Sequence, residues 1–414
     1  MLIVKQTSLY LSGRLSETVF RNGVRCMATK GVNRDFLKKS NRGLALKLIA
    51  TKQCASRIEL SKAMGLTKPA ISAIVNELME KGYLVETHKQ MTSDPGPNPI
   101  CLEIGPGAPK FAGLLLQRGY AESTVCDMNM RILRYERVEK RWKNGEELMQ
   151  TAYRLLDHMM EMEENVRAIG VSSIGQVDVN KGRILTPLYF NGIENVDVTA
   201  PIAARYGLPV FFDHDNQSAA LVEQLFGNGR GYQDILMIGI GHGVGCGIVM
   251  GGQRYHSHTG FPPEIGHVSI DVRGNQCRCG NIGCLETYIM SPVIEEKVRA
   301  AMGRPMDYRE ICQRENSPAI NAIMEEMILD LSGAVVSLLN ILNCEIVLLG
   351  LDSIYWPDRY VQLLEDIIHA RKFSNRVRRT LVRKAGFLDK TQILGAACNA
   401  VSRCFEGELP GDEW

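Results

Sequence analysis

Nowhere in its 414 residues does the chain carry the uninterrupted apolar run that a membrane crossing needs. The most apolar stretch, DILMIGIGHGVGCGIVMGG over residues 234–252, is broken by five internal glycines and a histidine. It reads as strand, glycine turn and strand, and no membrane partner is expected. An export signal is not expected either, because the apolar start MLIV gives way at once to Lys5 and Gln6. Disulfide-framework spacing is absent: the twelve cysteines are scattered except for one cluster. Without export, such cysteines are expected to be reduced thiols in the cytoplasm. There is no low-complexity segment and no large excess of one charge; the formal net charge is +2. What remains is the composition of an ordinary soluble globular protein, 45% hydrophobic and 23% charged. The length predicts two or three domains, with a core large enough to need no metal or disulfide for basic stability.

The small net charge hides an asymmetry. Residues 28–93 hold twelve Lys/Arg against five Asp/Glu, and residues 94–414 hold thirty-two against forty. A basic head on an acidic body points to an anionic partner for the head. Residues 1–27 show no core face and are expected to be a loose extension, or to precede a true start at Met27. From Phe36 a helical period appears, with Leu44, Leu46, Leu48 and Ile49 giving an amphipathic face. Ile58, Leu60, Ala63 and Met64 fit a second short helix, and Gly65 can take the positive φ of a tight turn. Thr67 is a good N-cap and Pro69 is tolerated in a first turn. Ile71, Ile74, Val75 and Leu78 then repeat at helical spacing up to Gly82. Leu84–Val85 and Leu102–Ile104 read as short strands flanking the turn TSDPGPNP. Helix, glycine turn, capped helix and a two-stranded wing make a winged helix-turn-helix over 28–104. Its second helix would enter the major groove by its N-terminal end. Thr67, Lys68, Pro69 and Ser72 lie there, with the polar side chains placed for phosphates or base edges. A small helical interaction domain without DNA contact remains the alternative.

From about residue 108 the pattern turns to α/β. RAIGVSSIGQVDV, PVFFDHDNQSAAL, DILMIGIGHGVGCGIVM and CEIVLLG are short apolar runs ending in polar or glycine-rich turns. Helical stretches are expected at 147–161, 198–206, 217–226 and 318–342. Ligand sites in such folds lie where the strands end. The cysteine cluster is EIGHVSIDVRGNQCRCGNIGCLE, residues 264–286. Cys277, Cys279 and Cys284, with His267 ten residues before the first, supply three thiolates and one imidazole, a set suited to tetrahedral zinc. Gly280 and Gly283 let the chain wrap around one point. Four protein ligands close the site, so a structural role is expected. A redox pair and free buried thiols are the rivals. Glu264 and Glu286 flank the ligands and would be held as acceptors for the hydroxyls of a polyol.

PPEIGHVSI and CRCGNIGCLE are similar to the zinc signature of the ROK family (repressors, open reading frames and kinases), and the resemblance extends from about residue 36 to 405. It implies a two-lobed, actin-like sugar-kinase body behind the winged head. Residues 108–214 with about 391–405 would form the small lobe, and 215–390 the large lobe with the zinc loop and sugar site. The metal ligands map onto His267, Cys277, Cys279 and Cys284. The kinase base maps onto Asp215 in DHDN, and His214 stands where an asparagine usually precedes it. Sugar contacts carry over to Asn191, His214, Asp215, Glu264, His267 and Glu286. The phosphate cradle, however, departs from the family pattern. Where its kinases have Asp-x-Gly-Gly-Thr, this chain has LLLQRGYAEST, so Leu115 replaces the aspartate while Gln117 and Arg118 replace the glycines. The second loop reads GHGVG, and the late loop is degraded to LLGLDSI around Gly350. With these departures the resemblance implies a sugar-responsive transcriptional regulator, most simply a repressor, and an ATP-dependent sugar kinase with an added head is the alternative. Operator DNA and a sugar such as xylose are the expected partners, and a homodimer or homotetramer the expected assembly. In the wing, Pro97 stands where family regulators often carry a minor-groove arginine.

Overall fold

The computed structural model describes residues 34–89, 100–185, 190, 192–374 and 377–408, together with the backbone of the antiparallel pair Phe20–Arg21 and Val24–Arg25. The rest of the expected N-terminal extension, the wing turn with Pro97, and Asn191 lie outside the described residues.

The head opens with helix Arg34–Ala50. Helix Arg57–Met64 follows, its N-terminus capped by the Ser56 hydroxyl and its end closed by Gly65 at φ +65°. Helix Lys68–Glu80 starts at Thr67, whose hydroxyl accepts from the Ala70 N–H at 3.4 Å. Strands Leu84–Lys89 and Ile100–Ile104 then pair antiparallel. Leu46, Leu60, Ile71, Val75, Leu78, Leu84 and Leu102 form the interior of this unit. Ile58, one of the apolar residues that mark the second helix, is 49% exposed. On a helix of 3.6 residues per turn, positions two apart point in nearly opposite directions. Burying Leu60 therefore turns Ile58 outward.

The body is built on two five-stranded sheets. In the first, Val210–His214, Val166–Ser173 and Lys110–Leu116 run parallel, followed antiparallel by Tyr120–Cys126 and Ile132–Glu139. In the second, Leu381–Lys384, Ile346–Leu351 and Ile235–Ile240 run parallel, followed antiparallel by Val244–Met250 and Gln253–Arg254. The two sheets thus repeat one plan. Helices Asp215–Phe226 and Thr391–Phe405 pack against each other between them. The first lies against strands of the second sheet, and the other against strands of the first. Helix Pro318–Leu342 has the bounds its periodicity predicts. Helix Gly145–Met162 covers the expected 147–161, helix Thr199–Tyr206 begins one residue after the expected 198, and helix Asp215–Phe226 begins two residues before the expected 217. Among the described residues, no helix is long and apolar enough to cross a membrane.

Head and body share one core. Leu46, Leu60 and Val75 of the head belong to the same buried cluster as Phe111, Ala397, Val401 and Phe405 of the body. Helix Arg34–Ala50 lies so close to the end of helix Thr391–Phe405 that a Cβ on Gly43 would stand 2.4 Å from the Phe405 carbonyl oxygen.

Candidate functional site

Asp215 is the first residue of its helix, at the end of strand Val210–His214, and is 1% exposed. Burying a carboxylate this deeply requires hydrogen-bond donors. Two amides supply them: Gln117 Nε2 donates to Oδ2 at 2.8 Å and Asn216 Nδ2 donates to Oδ1 at 2.9 Å. His214 Nδ1 lies 3.4 Å from Oδ1. Gln117 stands just after strand Lys110–Leu116, at the position where the kinases' cradle would have glycine. Its side chain fills that position and holds the carboxylate. Leu115, in place of the cradle's aspartate, is buried against Ile393 and Ala396 of the helix between the lobes. Arg118 reaches across to the second lobe, where its Nη1 donates to the His242 carbonyl at 3.3 Å. The three departures thus become an apolar contact, a clamp on Asp215 and a cation in the cleft.

A cavity of about 760 Å³ runs between the lobes. His214, Asp215, Glu264, His267 and Glu286 all border it. Phe190, the chain neighbour of Asn191, borders it as well. Burial raises the Glu264 carboxyl above its ordinary range, against the opposing pull of His214 and His267. Asp352, at the far wall, is also raised by burial, although it accepts from the Ser291 hydroxyl at 2.6 Å.

The cysteine loop is folded by its own backbone. Cys277 N–H donates to the Asn281 carbonyl, Gly280 N–H to that of Cys277, and Gly283 N–H to that of Asn275. Gly280 and Gly283 take φ of +95° and +72°, which only glycine adopts at little cost. A ring nitrogen of His267 and the three Sγ atoms all lie within 4.8 Å of one another. Cys279 Sγ is 3.7 Å from Cys284 Sγ, and Cys277 Sγ is 3.7 Å from His267 Nδ1. A tetrahedron with metal–sulfur bonds of ~2.3 Å has edges of about that length, so the donor set fits a single metal ion. The cysteines are free thiols among the described residues. Burial, together with Glu286 as a hydrogen-bond acceptor, pushes the Cys277 thiol up to about 12. Glu286 Oε1 sits 3.2 Å from Cys277 Sγ, so this carboxylate borders the ligand cluster as well as the cavity.

In the head, Thr67, Lys68 and Pro69 are exposed at the start of their helix, while Ser72 is half-buried. The Thr67 hydroxyl is already engaged as the helix cap. Arg57, a cation not singled out in the sequence, is turned inward: its guanidinium donates to Glu86 on the wing at 3.0 Å and to the Ser72 carbonyl at 3.4 Å.

Sequence reasoning also missed a buried network behind Asp215. Asp213 accepts from Arg254 at 2.6 Å and from His256 Nε2 at 2.8 Å, and Arg254 donates to Asn399 at 2.8 Å. Burial works against the charge of Asp213, but Arg254 and His256 outweigh it and hold the carboxyl below its ordinary range. The only signal in the chain is an aspartate two residues before Asp215, inside an apolar run.

Comparison with known proteins matches this geometry. A protein named as a putative xylose repressor, from Caldicellulosiruptor sp. (strain Rt8B.4), is 27% identical over 392 residues, 89% of this chain and 97% of its own length. The DNA-binding transcriptional repressor Mlc of Escherichia coli (strain K12) is 26% identical over 293 residues, 67% of this chain and 72% of its own. Among solved structures, a ROK family transcriptional regulator homologous to the E. coli MLC protein superposes with a TM-score of 0.77 at 25% identity, over 90% of this chain and 98% of its own. The ROK hexokinase of Thermus thermophilus gives a TM-score of 0.61 at 26% identity, over 70% and 97%. The ROK family profile itself matches residues 113–402, from the first strand of the body to the helix between the lobes, and the chain belongs to that family.

Proposed function

We propose that this chain is a sugar-responsive, DNA-binding transcriptional regulator that represses carbohydrate-utilisation genes, and that its kinase-like body binds an aldose without phosphorylating it. The observation that carries this reading is the hairpin at Leu115–Arg118. Phosphoryl transfer needs a cradle of backbone N–H groups, Mg²⁺ and an in-line hydroxyl. Here an apolar side chain stands at the magnesium-binding position, and Gln117 donates to the carboxylate that would act as base. A base clamped in this way is an acceptor for a sugar hydroxyl. The names of the relatives, xylose repressor, Mlc and NagC, point the same way, and xylose is the first sugar to try.

His214, Asp215, Glu264, His267 and Glu286 would hold the sugar, with Asn191, the residue after Phe190 in the sequence, as a further contact. The Cys277, Cys279, Cys284 and His267 set would hold zinc. Bound there, zinc supplies a four-ligand cross-link and no reactive water. Its task is to fix Glu264 and Glu286 at the cavity wall. Lys68 and the first turn of helix Lys68–Glu80 would meet operator DNA, with Thr67, Pro69 and Ser72 shaping that turn. The protein would act in the cytoplasm as a homodimer or homotetramer, two heads reading half-sites about one helical turn apart.

A gel shift on DNA flanking the protein's own gene tests this, run with a panel of aldoses with and without ATP. A specific shift that one sugar alters and ATP does not is expected. Robust ATP-dependent turnover of that sugar would instead make the chain a kinase with an added head.

A further inference from the structure

Asp215 and Glu264 border the same cavity from different lobes. Asp215 follows strand Val210–His214 of the first sheet, whereas Glu264 lies downstream of strand Gln253–Arg254 of the second. A ligand held by both is held only as well as the two lobes are held to each other. Between Arg254 and Glu264 the chain forms a strap, residues 254–260, that leaves the second sheet and is bonded to the first lobe at both ends. At its start, Arg254 Nη1 donates to Asp213 Oδ2 at 2.6 Å, and His256 Nε2 donates to the same oxygen at 2.8 Å. At its end, the Val179 N–H donates to the Gly260 carbonyl at 3.2 Å, and Asn180 Nδ2 to the His258 carbonyl at 3.4 Å. Val179 and Asn180 follow strand Val177–Asp178, and Val177 belongs to the core of the first lobe. Gly260 takes φ +80°, and a Cβ there would stand 3.0 Å from Asn180 Nδ2, so this approach requires glycine. Beyond it, Pro262 and Pro263 stiffen the chain up to Glu264.

Asp213 is the anchor of the strap. It is 2% exposed, and its Oδ1 accepts from the His214 N–H at 2.8 Å, which ties the carboxylate to the backbone that leads into Asp215. Arg254 also donates to Asn399 on helix Thr391–Phe405 at 2.8 Å, and Asn399 Nδ2 donates to the Ser218 hydroxyl at 2.9 Å on the helix that starts with Asp215. Desolvation offsets much of the attraction in a buried ion pair, so such a pair adds little net stability. What three donors converging on one carboxylate do fix is direction. Asp213, Arg254 and His256 do not border the cavity, so they act on a ligand through the residues they hold.

We propose that Asp213 and His256 are positioning residues of the effector cleft: through them the strap 254–260 is latched to the strand that leads into Asp215, which sets the span between Asp215 and Glu264 and so the affinity for sugar. This rests on the reading of the body as a sugar-binding module and says what holds that site in register.

Removing Asp213 or Arg254 would leave a buried charge without its partner and endanger the fold, whereas the His256 side chain is 38% exposed. The test therefore compares His256→Leu, which has no donor, with His256→Gln, whose amide can donate from the place of Nε2. Full-length, zinc-loaded protein is read in two ways: by hydrogen exchange over residues 254–264 without ligand, and by calorimetric titration with xylose, glucose and N-acetylglucosamine. In His256→Leu, exchange over 254–264 should rise while strand Ile235–Ile240 stays protected. Affinity for the sugar that the wild type binds best should fall by about tenfold, because apparent affinity scales with the fraction of molecules in the competent arrangement. His256→Gln should restore both. Unchanged affinity or unchanged exchange in His256→Leu overturns the proposal, and so does an equal loss in His256→Gln, which would assign the effect to the ring and not to the latch. If the wild type binds none of the sugars, the underlying reading fails separately; raised exchange in His256→Leu would then leave the latch standing as a fastener between lobes, and unchanged exchange would overturn it as well.

Discussion

A carboxylate that is 1% exposed needs donors around it, and Asp215 has Gln117 and Asn216. The pair holds both oxygens of the carboxylate. A free base would swing to take a proton, whereas one held at both oxygens presents a fixed acceptor geometry. Gln117→Met keeps the length of the side chain and removes the donor. Losing a hydrogen bond to a buried group costs about 1–3 kcal/mol, and each ~1.4 kcal/mol is tenfold in affinity. Sugar affinity should therefore fall at least about fivefold, read by calorimetric titration; an unchanged affinity would mean that the clamp plays no part in binding. Asp215 itself was legible, because DHDN ends an apolar strand and resembles a known base. The role of Gln117 was not legible. Its partner is 98 residues away in sequence, and in the chain it reads only as a side chain where glycine would belong.

At the scale of the element, the cysteine loop is the best case of sequence dictating structure. The spacing of four ligands and the two positive-φ glycines suffices to bring four donor atoms within 4.8 Å. What spacing could not tell is that Glu286 would lie 3.2 Å from one of those sulfurs, so that the cysteine loop and the cavity wall are one element. Cys279→Ser should accordingly lower the bound zinc from one per chain and weaken sugar binding, with the global fold kept. Zinc content, hydrogen exchange over 264–286 and titration with the effector would check it; an intact sugar response in a metal-free variant would refute the link. The pH dependence follows from the same group. With Cys277 pushed up to about 12, metal must displace its proton, so affinity rises with pH and acidification releases the ion. The helices were legible where their periodicity is long, as in Pro318–Leu342. The short helix Arg57–Met64 was legible too, but not that Leu60 would be buried and Ile58 exposed, because eight residues contain too few turns for one apolar residue to define a direction.

For the whole molecule, what matters is that head and body are not beads on a string. The composition shift near residue 108 suggests a boundary, yet a single buried cluster runs through it from Leu60 to Val401. Helix Thr391–Phe405 borders the cavity at Gln392, packs on the helix that starts with Asp215, and ends with the Phe405 carbonyl against Gly43 of the head. A rigid rod of about 1.5 Å per residue therefore joins the effector cleft to the DNA-reading unit. Nothing in the sequence pairs Gly43 with Phe405; a glycine within a helix reads as a weak point, and only the close approach explains it. Alanine at position 43 would raise helix propensity by roughly 1 kcal/mol. Its Cβ would also stand 2.4 Å from a backbone oxygen that cannot rotate away, and overpacking of this kind costs about 1–3 kcal/mol. The clash wins, and the two helices must separate. Coupling between sites is reciprocal and commonly ~1–3 kcal/mol. In the wild type, operator should change sugar affinity by the same factor that sugar changes operator affinity. In Gly43→Ala both factors should fall towards one while each ligand still binds alone, measured by titrating sugar with and without operator. Retained coupling in that variant would move the communication route away from this helix and onto the contacts between subunits.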